Sequence, residues 1–213
     1  MHPALIAVLS LIGAVIILHQ VVMRIVRKAH PVPCPAQLGW ILDRRGLIFS
    51  PSRAMDRMGI RQGMRVLELG PGTGFLTVEA SRRVGGSGSL YSLDIQPAMI
   101  AKVRDKLTRE ELKNVALLVG NGECLPFADS SFDLAFLVAV LGEIPSKDAA
   151  LQELSRVLRP NGVLSISELL PDPDYPLRRT TIAWAHKAGF EPFQQFGNFL
   201  AYTFNFRKGV SLC

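Results

Sequence analysis

One stretch constrains this chain more than any other: Val66-Leu67-Glu68-Leu69-Gly70-Pro71-Gly72-Thr73-Gly74, an apolar strand that breaks into alternating glycines before a helix-like segment. Glycines at every second position leave the backbone bare, so a ligand can approach it closely. The helix start that follows presents free N–H groups to a carboxylate or phosphate. The spacing Gly70-x-Gly72-x-Gly74 behind an acidic Glu68 is not the G-x-G-x-x-G of a dinucleotide loop. Asp94, twenty residues beyond Gly74, ends the next apolar run, where a carboxylate can accept two hydrogen bonds from a ribose diol.

After residue 60, strand-like runs alternate with helix-like ones, the pattern of a parallel sheet covered on both faces. Strands are expected at 65–69, 89–94, 115–119, 132–138 and 162–168, and helices at 75–84, 97–107, 147–158 and 177–188. Two last runs, 191–196 and 199–206, are separated only by Gly197 and Asn198, which calls for an antiparallel hairpin. The expected fold is therefore α/β: a Rossmann-like, seven-stranded, mostly parallel sheet ending in an antiparallel hairpin, with helices on both faces.

Several motifs in order resemble one family. They are Glu68 to Gly74; Leu93-Asp94-Ile95 followed by Met99; Gly120-Asn121-Gly122-Glu123-Cys124-Leu125-Pro126-Phe127 leading into Ser131-Phe132-Asp133; and Glu153-Leu154-Ser155-Arg156-Val157-Leu158-Arg159-Pro160-Asn161-Gly162. Over residues 50–207 the chain resembles the class I S-adenosylmethionine-dependent methyltransferases, especially the branch acting on quinones and other small molecules. The resemblance implies S-adenosyl-L-methionine as cofactor and no metal. It implies that Glu68 and the loop Gly70, Pro71, Gly72, Thr73, Gly74 hold the methionine end and that Asp94 holds the ribose. Ile95 and Met99 would pack on adenine. Asn121 stands where the family usually has an acid for the adenine amino group, with Gly122 beside it and Glu123 as the alternative partner. Gly142 stands where relatives often carry histidine.

The other constraint lies at the N-terminus. Residues 3–23 are apolar except for Ser10, His19 and Gln20, and 21 residues at 1.5 Å rise span roughly 31 Å, one hydrocarbon core. Nothing basic precedes the run and Arg24, Arg27 and Lys28 follow it, the reverse of a cleaved signal peptide. The expectation is a single-pass transmembrane anchor in residues 1–29, with the remainder on the cytoplasmic side. Residues 30–60 read as a proline-rich linker and cap, in which 36–45 lie on the membrane or over a pocket, and 61–213 as the methyltransferase domain. The formal charge of +6 has its source here: residues 1–60 hold seven Lys/Arg against two Asp/Glu. The body is nearly neutral, so nucleic acid is not expected as a partner. Three scattered cysteines imply neither a disulfide framework nor a zinc site.

Methyl transfer from a sulfonium is a one-step displacement that needs alignment and exclusion of water more than a base. Glu143, beyond the fourth strand, Glu168, at the end of the fifth, and Tyr175, in a proline-rich turn, are the catalytic candidates. A membrane tether concentrates acceptors dissolved in the bilayer, which points to a lipophilic small molecule (quinone, lipid headgroup, thiol or amine), with membrane lipid as a partner. Two other classes remain open: a non-catalytic S-adenosylmethionine-binding membrane protein and an NAD-dependent oxidoreductase. Calorimetry against S-adenosylmethionine and NAD separates them.

Overall fold

The computed structural model describes residues 31–36, 50–170 and 172–209, together with scattered helical positions between 5 and 26. Most of the expected anchor in residues 1–29, and nearly all of 36–45, lie outside the described residues. Among the described residues, no helix is long and apolar enough to cross a membrane.

The chain forms α1 (Pro51–Met58), β1 (Arg65–Leu69), α2 (Thr77–Val84), β2 (Ser89–Asp94), α3 (Pro97–Arg109), β3 (Val115–Val119), β4 (Phe132–Val138), α4 (Lys147–Val157), β5 (Leu158–Leu169), α5 (Arg178–Lys187), β6 (Phe190–Gly197) and β7 (Ala201–Lys208). The seven strands form one sheet in the order β3-β2-β1-β4-β5-β7-β6. The first five are parallel, whereas β7 runs antiparallel to both β5 and β6. The expected Rossmann-like sheet with its terminal hairpin is what the chain adopts.

Period-two alternation sorts the central strands between two cores. Val66 of β1 and Leu134 and Phe136 of β4 face α1 and α2, packing with Ala54, Met55, Met58, Ala80 and Val84. Leu67, Ala135 and Leu137 face the other way, onto Leu151, Leu154 and Val157 of α4 and Ala185 of α5. The core on the first face thus draws on residues before 61, inside the segment read as linker and cap. Helix α1 starts on a Ser50 cap with Pro51 at its first turn and stops at Gly59, whose φ of +78° suits a glycine.

The hairpin differs from expectation. Gly197 is the last residue of β6 and pairs with Tyr202, so the loop is the three residues 198–200 rather than a two-residue Gly-Asn link. Asn198 makes the loop close: its backbone N–H donates to Ala201 O at 2.8 Å, and its side-chain oxygen accepts from the N–H groups of Leu200 and Ala201. A side chain on an asparagine competes for local backbone donors, and here that competition sets the loop length. Strand β5 is also longer than expected, because the chain passes straight from α4 into it. The β4/β5 register shifts between Phe132 and Leu134, beside Asn161 at φ +62°.

Candidate active site

In an open parallel sheet the carboxyl ends of the strands leave a crevice where the strand order reverses, here between β1 and β4. A cleft lies there, enclosing about 1140 Å³ including space open to solvent. Among the expected cofactor residues, Glu68, Gly70, Pro71, Gly72, Thr73, Asp94, Ile95, Met99, Asn121 and Gly122 line it. The topology brings together residues spread over more than fifty positions.

Gly70 and Gly72 have φ of +75° and +56°. A Cβ on Gly70 would sit 2.4 Å from Cγ2 of Val140, so no larger residue fits between β1 and the segment after β4. Gly74 does not line the cleft. Its N–H donates to Pro71 O at 2.9 Å, and a Cβ there would meet Val103 of α3 at 3.3 Å, which makes it a packing glycine.

Glu68 is buried beneath the loop. One carboxylate oxygen accepts from the hydroxyls of Ser92 at 2.6 Å and Thr77 at 2.8 Å. Burial pushes its carboxyl up to about 7, against the lowering effect of the two hydroxyls. Asp94 is held by two backbone donors, Gln96 N at 2.9 Å and Gly72 N at 3.3 Å. Burial raises its carboxyl too, and the two backbone bonds oppose the rise. These groups fit the cofactor that the motifs imply: a backbone loop no side chain can crowd, an acid at each end, and an apolar slot with Ile95 and Met99 beside Asp94.

Beyond β3, Asn121 lines the cleft and Glu123 does not. The Asn121 side-chain oxygen accepts from Glu123 N at 2.9 Å, while the Glu123 carboxylate accepts from Ser146 N at 2.7 Å, at the start of α4. The stretch from 125 to 129 is pinned from α4 by Arg156, whose guanidinium donates to Leu125 O, Phe127 O, Asp129 and Glu153. Glu153 also accepts from Leu125 N at 2.8 Å. Glu153 and Arg156 of that motif therefore act at a distance, by fixing the stretch that follows Asn121.

Of the three catalytic candidates, Glu143 lines the cleft, in a 3-10 turn over Leu141–Glu143, and is half-buried. Glu168 is buried in β5, opposite Tyr202, and does not line it. Tyr175 is buried away from the lining; its hydroxyl donates to Phe199 O at 2.7 Å and its ring meets that of Tyr202 edge-on. Glu143, Asp172 and Asp174 bring carboxylate oxygens within 4.8 Å of one another beside the cleft. Gly142 is filled from outside: a Cβ there would lie 2.2 Å from Asp174 O, so the 172–174 turn occupies the space a larger side chain would need.

The sequence reading passed over several lining residues. Pro33 and Cys34 of the proline-rich segment form part of the wall, held where Gln96 Nε2 donates to Cys34 O at 2.9 Å and Lys102 Nζ donates to Ala36 O at 2.5 Å. Phe75, Leu76, Phe136, Val138, Val140 and Leu169 supply apolar wall. Only their place toward the carboxyl ends of strands marked the β4 and β5 members, and nothing local marked Pro33 or Cys34.

The sequence model of the family described as a methyltransferase domain matches residues 60–184. Two relatives carry the name ubiquinone/menaquinone biosynthesis C-methyltransferase UbiE. One, from Legionella pneumophila strain Corby, is 38% identical over 143 residues, covering 67% of this chain and 56% of the relative. The other, from Idiomarina loihiensis, is 42% identical over 115 residues, covering 54% and 46%. The chain thus spans about half the length of the relatives it matches. A solved S-adenosylmethionine-dependent methyltransferase from Aquifex aeolicus shares the fold, with a TM-score of 0.78 at 24% identity over 83% of this chain and 100% of that one. With the glycine loop, Asp94 and the sheet order in agreement, the chain belongs to the methyltransferase domain family and carries an S-adenosyl-L-methionine-dependent methyltransferase domain.

Proposed function

We propose that this protein methylates a lipophilic small molecule of the quinone class, at ring carbon, and that residues 1–29 anchor it to a membrane. The observation that carries the acceptor class is the wall of the cleft: beside the polar loop and Asp94 it is lined by Phe75, Phe136, Val138, Val140, Ile144 and Leu169. Such a wall suits an apolar ring and excludes water. The likeness to relatives named for quinone C-methylation supports the same class.

When bound, the cofactor supplies an electrophilic methyl group whose leaving group is a neutral thioether. Glu68, the Gly70 to Thr73 backbone and Asp94 are the residues proposed to hold it, with Ile95, Met99 and Asn121 about the adenine. The chain's remaining task is to place the acceptor in line and take up one proton. Methylation at a ring carbon forms a carbon–carbon bond and releases the proton that carbon bore. Glu143 is the proposed acceptor of that proton, because among the three catalytic candidates it alone borders the cleft.

The test supplies methyl-labelled S-adenosylmethionine to the full-length protein with a demethylated quinone in its reduced quinol form, whose electron-rich ring carbon is the nucleophile, a lipid extract and a hydrophobic thiol in parallel. Label is expected on quinone carbon, with turnover lowered in Glu143→Gln while cofactor affinity holds. Label on the thiol or a headgroup instead would overturn the acceptor class. The anchor rests on sequence alone, and carbonate-washed membranes test it: the full chain should stay in the pellet, and release by carbonate would refute it.

A further inference from the structure

Exposed apolar side chains are unevenly placed on the domain. Among the described residues from 31 to 209, seven large ones are exposed, and six lie at the carboxyl-end face of the sheet, around the cleft. Val119 closes β3 and Ile95 follows β2. Val32 adjoins Pro33 and Cys34 in the cleft wall. Phe199 and Leu200, 69% and 48% exposed, form the β6–β7 loop, which the pairing of Leu169 with Ala201 places at the carboxyl end of β5. Leu177 is brought to the same end by the segment it follows, since Tyr202 donates to Pro176 O at 2.9 Å and Tyr175 to Phe199 O at 2.7 Å. The seventh, Phe193, lies in β6 under the Arg207 guanidinium, 4.5 Å from its ring centre. The opposite end is charged, with Arg65, Asp133 and Arg159 joined there. Isolated exposed apolar groups mean little, but a set of them around one opening marks a contact surface.

We propose that this face rests on a lipid bilayer, with Phe199 and Leu200 entering the boundary between headgroups and acyl chains. The inference rests on the membrane anchoring proposed above and adds to it an orientation. The choice of occupant follows from the chain itself. The apolar run 3–23 and its basic flank Arg24, Arg27 and Lys28 lead directly into the segment that forms the cleft wall. Four residues lie between Lys28 and Pro33, and the five steps span at most about 18 Å even when fully extended. A basic flank held at anionic headgroups therefore keeps the cleft mouth close to the same surface. A lipophilic acceptor would pass from bilayer to cleft without crossing water.

An environment-sensitive nitrobenzoxadiazole label tests the orientation. It is attached to Phe199→Cys or, as a control at the far end of α3, to Glu110→Cys, each in the full-length chain with Cys34, Cys124 and Cys213 replaced by serine. Both labelled proteins must bind S-adenosylmethionine as the unlabelled chain carrying the same three serine replacements does. With phosphatidylcholine/phosphatidylglycerol vesicles, the label at 199 is expected to shift to shorter wavelength and to be quenched by brominated acyl chains, while that at 110 stays in water. Vesicle binding with both labels in water would overturn the orientation and leave the anchor standing. No vesicle binding would overturn both. A shift at 199 that appears without vesicles and grows with protein concentration would make a second copy the occupant, and would overturn the lipid proposal.

Discussion

The backbone N–H of Gly72 donates to the Asp94 carboxylate across 3.3 Å, so the glycine loop after β1 and the acid that ends β2 are one hydrogen-bonded unit. Asp94 thereby shapes the loop as well as offering itself to a ligand. Asp94→Ala should weaken S-adenosylmethionine binding by about 2 to 4 kcal/mol: two ribose hydrogen bonds to a charged acceptor, at roughly 1.5 to 3 each, are lost, and water entering the space left by the carboxylate recovers part of that. Calorimetry checks the affinity, and an unchanged value would show that the ribose is held elsewhere.

Position 70 should tolerate no side chain. Gly70→Ala meets Val140 at 2.4 Å and holds an L-residue at φ +75°, and the left-handed backbone alone costs roughly 1 to 2 kcal/mol. Shortening the neighbour in Gly70→Ala/Val140→Ala should recover the steric part and leave the backbone part. Denaturant titration of both variants measures this. Equal losses in the single and double variants would mean that Val140 is not the obstacle.

Glu68 should make the cofactor-free protein less stable as pH rises. Its carboxyl sits at about 7 when folded against an ordinary 4.5, so folding favours the protonated form. That contribution is fully present below about pH 4.5 and is lost as pH rises through 7, a change of about 3 kcal/mol at roughly 1.4 per pH unit. Glu68→Gln keeps an acceptor for Ser92 and Thr77 and removes the titration. Its stability relative to the parent should improve between pH 5 and pH 8, and parallel curves for the two proteins would refute this.

Asn121→Asp should tighten S-adenosylmethionine and S-adenosylhomocysteine alike by roughly 1 kcal/mol, the gain from a charged acceptor for the adenine amino group. Glu123→Gln should leave both affinities in place and lower thermal stability instead, since its carboxylate caps the approach to α4 through Ser146. Weaker binding in the first variant, or a large loss in the second, would hand the adenine contact to Glu123.

The strands were legible because burial on both faces writes itself as short apolar runs. β1, β2, β3 and β4 fall where those runs fall. The glycine loop and Asp94 were legible for a related reason: local backbone freedom and a strand-ending acid are properties of neighbouring residues. The hairpin loop was misjudged by one residue because the capacity of Asn198 to bind Leu200 and Ala201 depends on how β6 and β7 are registered.

The sequence by itself determined the elements and their kinds, the loop that can face a ligand, and the apolar length of the N-terminal run, since each depends on residues within a few positions. Only the tertiary structure decided which candidates meet. It set Glu143 at the cleft and left Glu168 and Tyr175 in the interior, turned Glu123 toward α4, filled the space beside Gly142 with the 172–174 turn, brought Pro33 into the cleft wall and laid Cys34 against Gln96. Those outcomes depend on sheet order and on chain packing across tens of residues, and a side chain's direction there follows from its neighbours in space rather than in sequence.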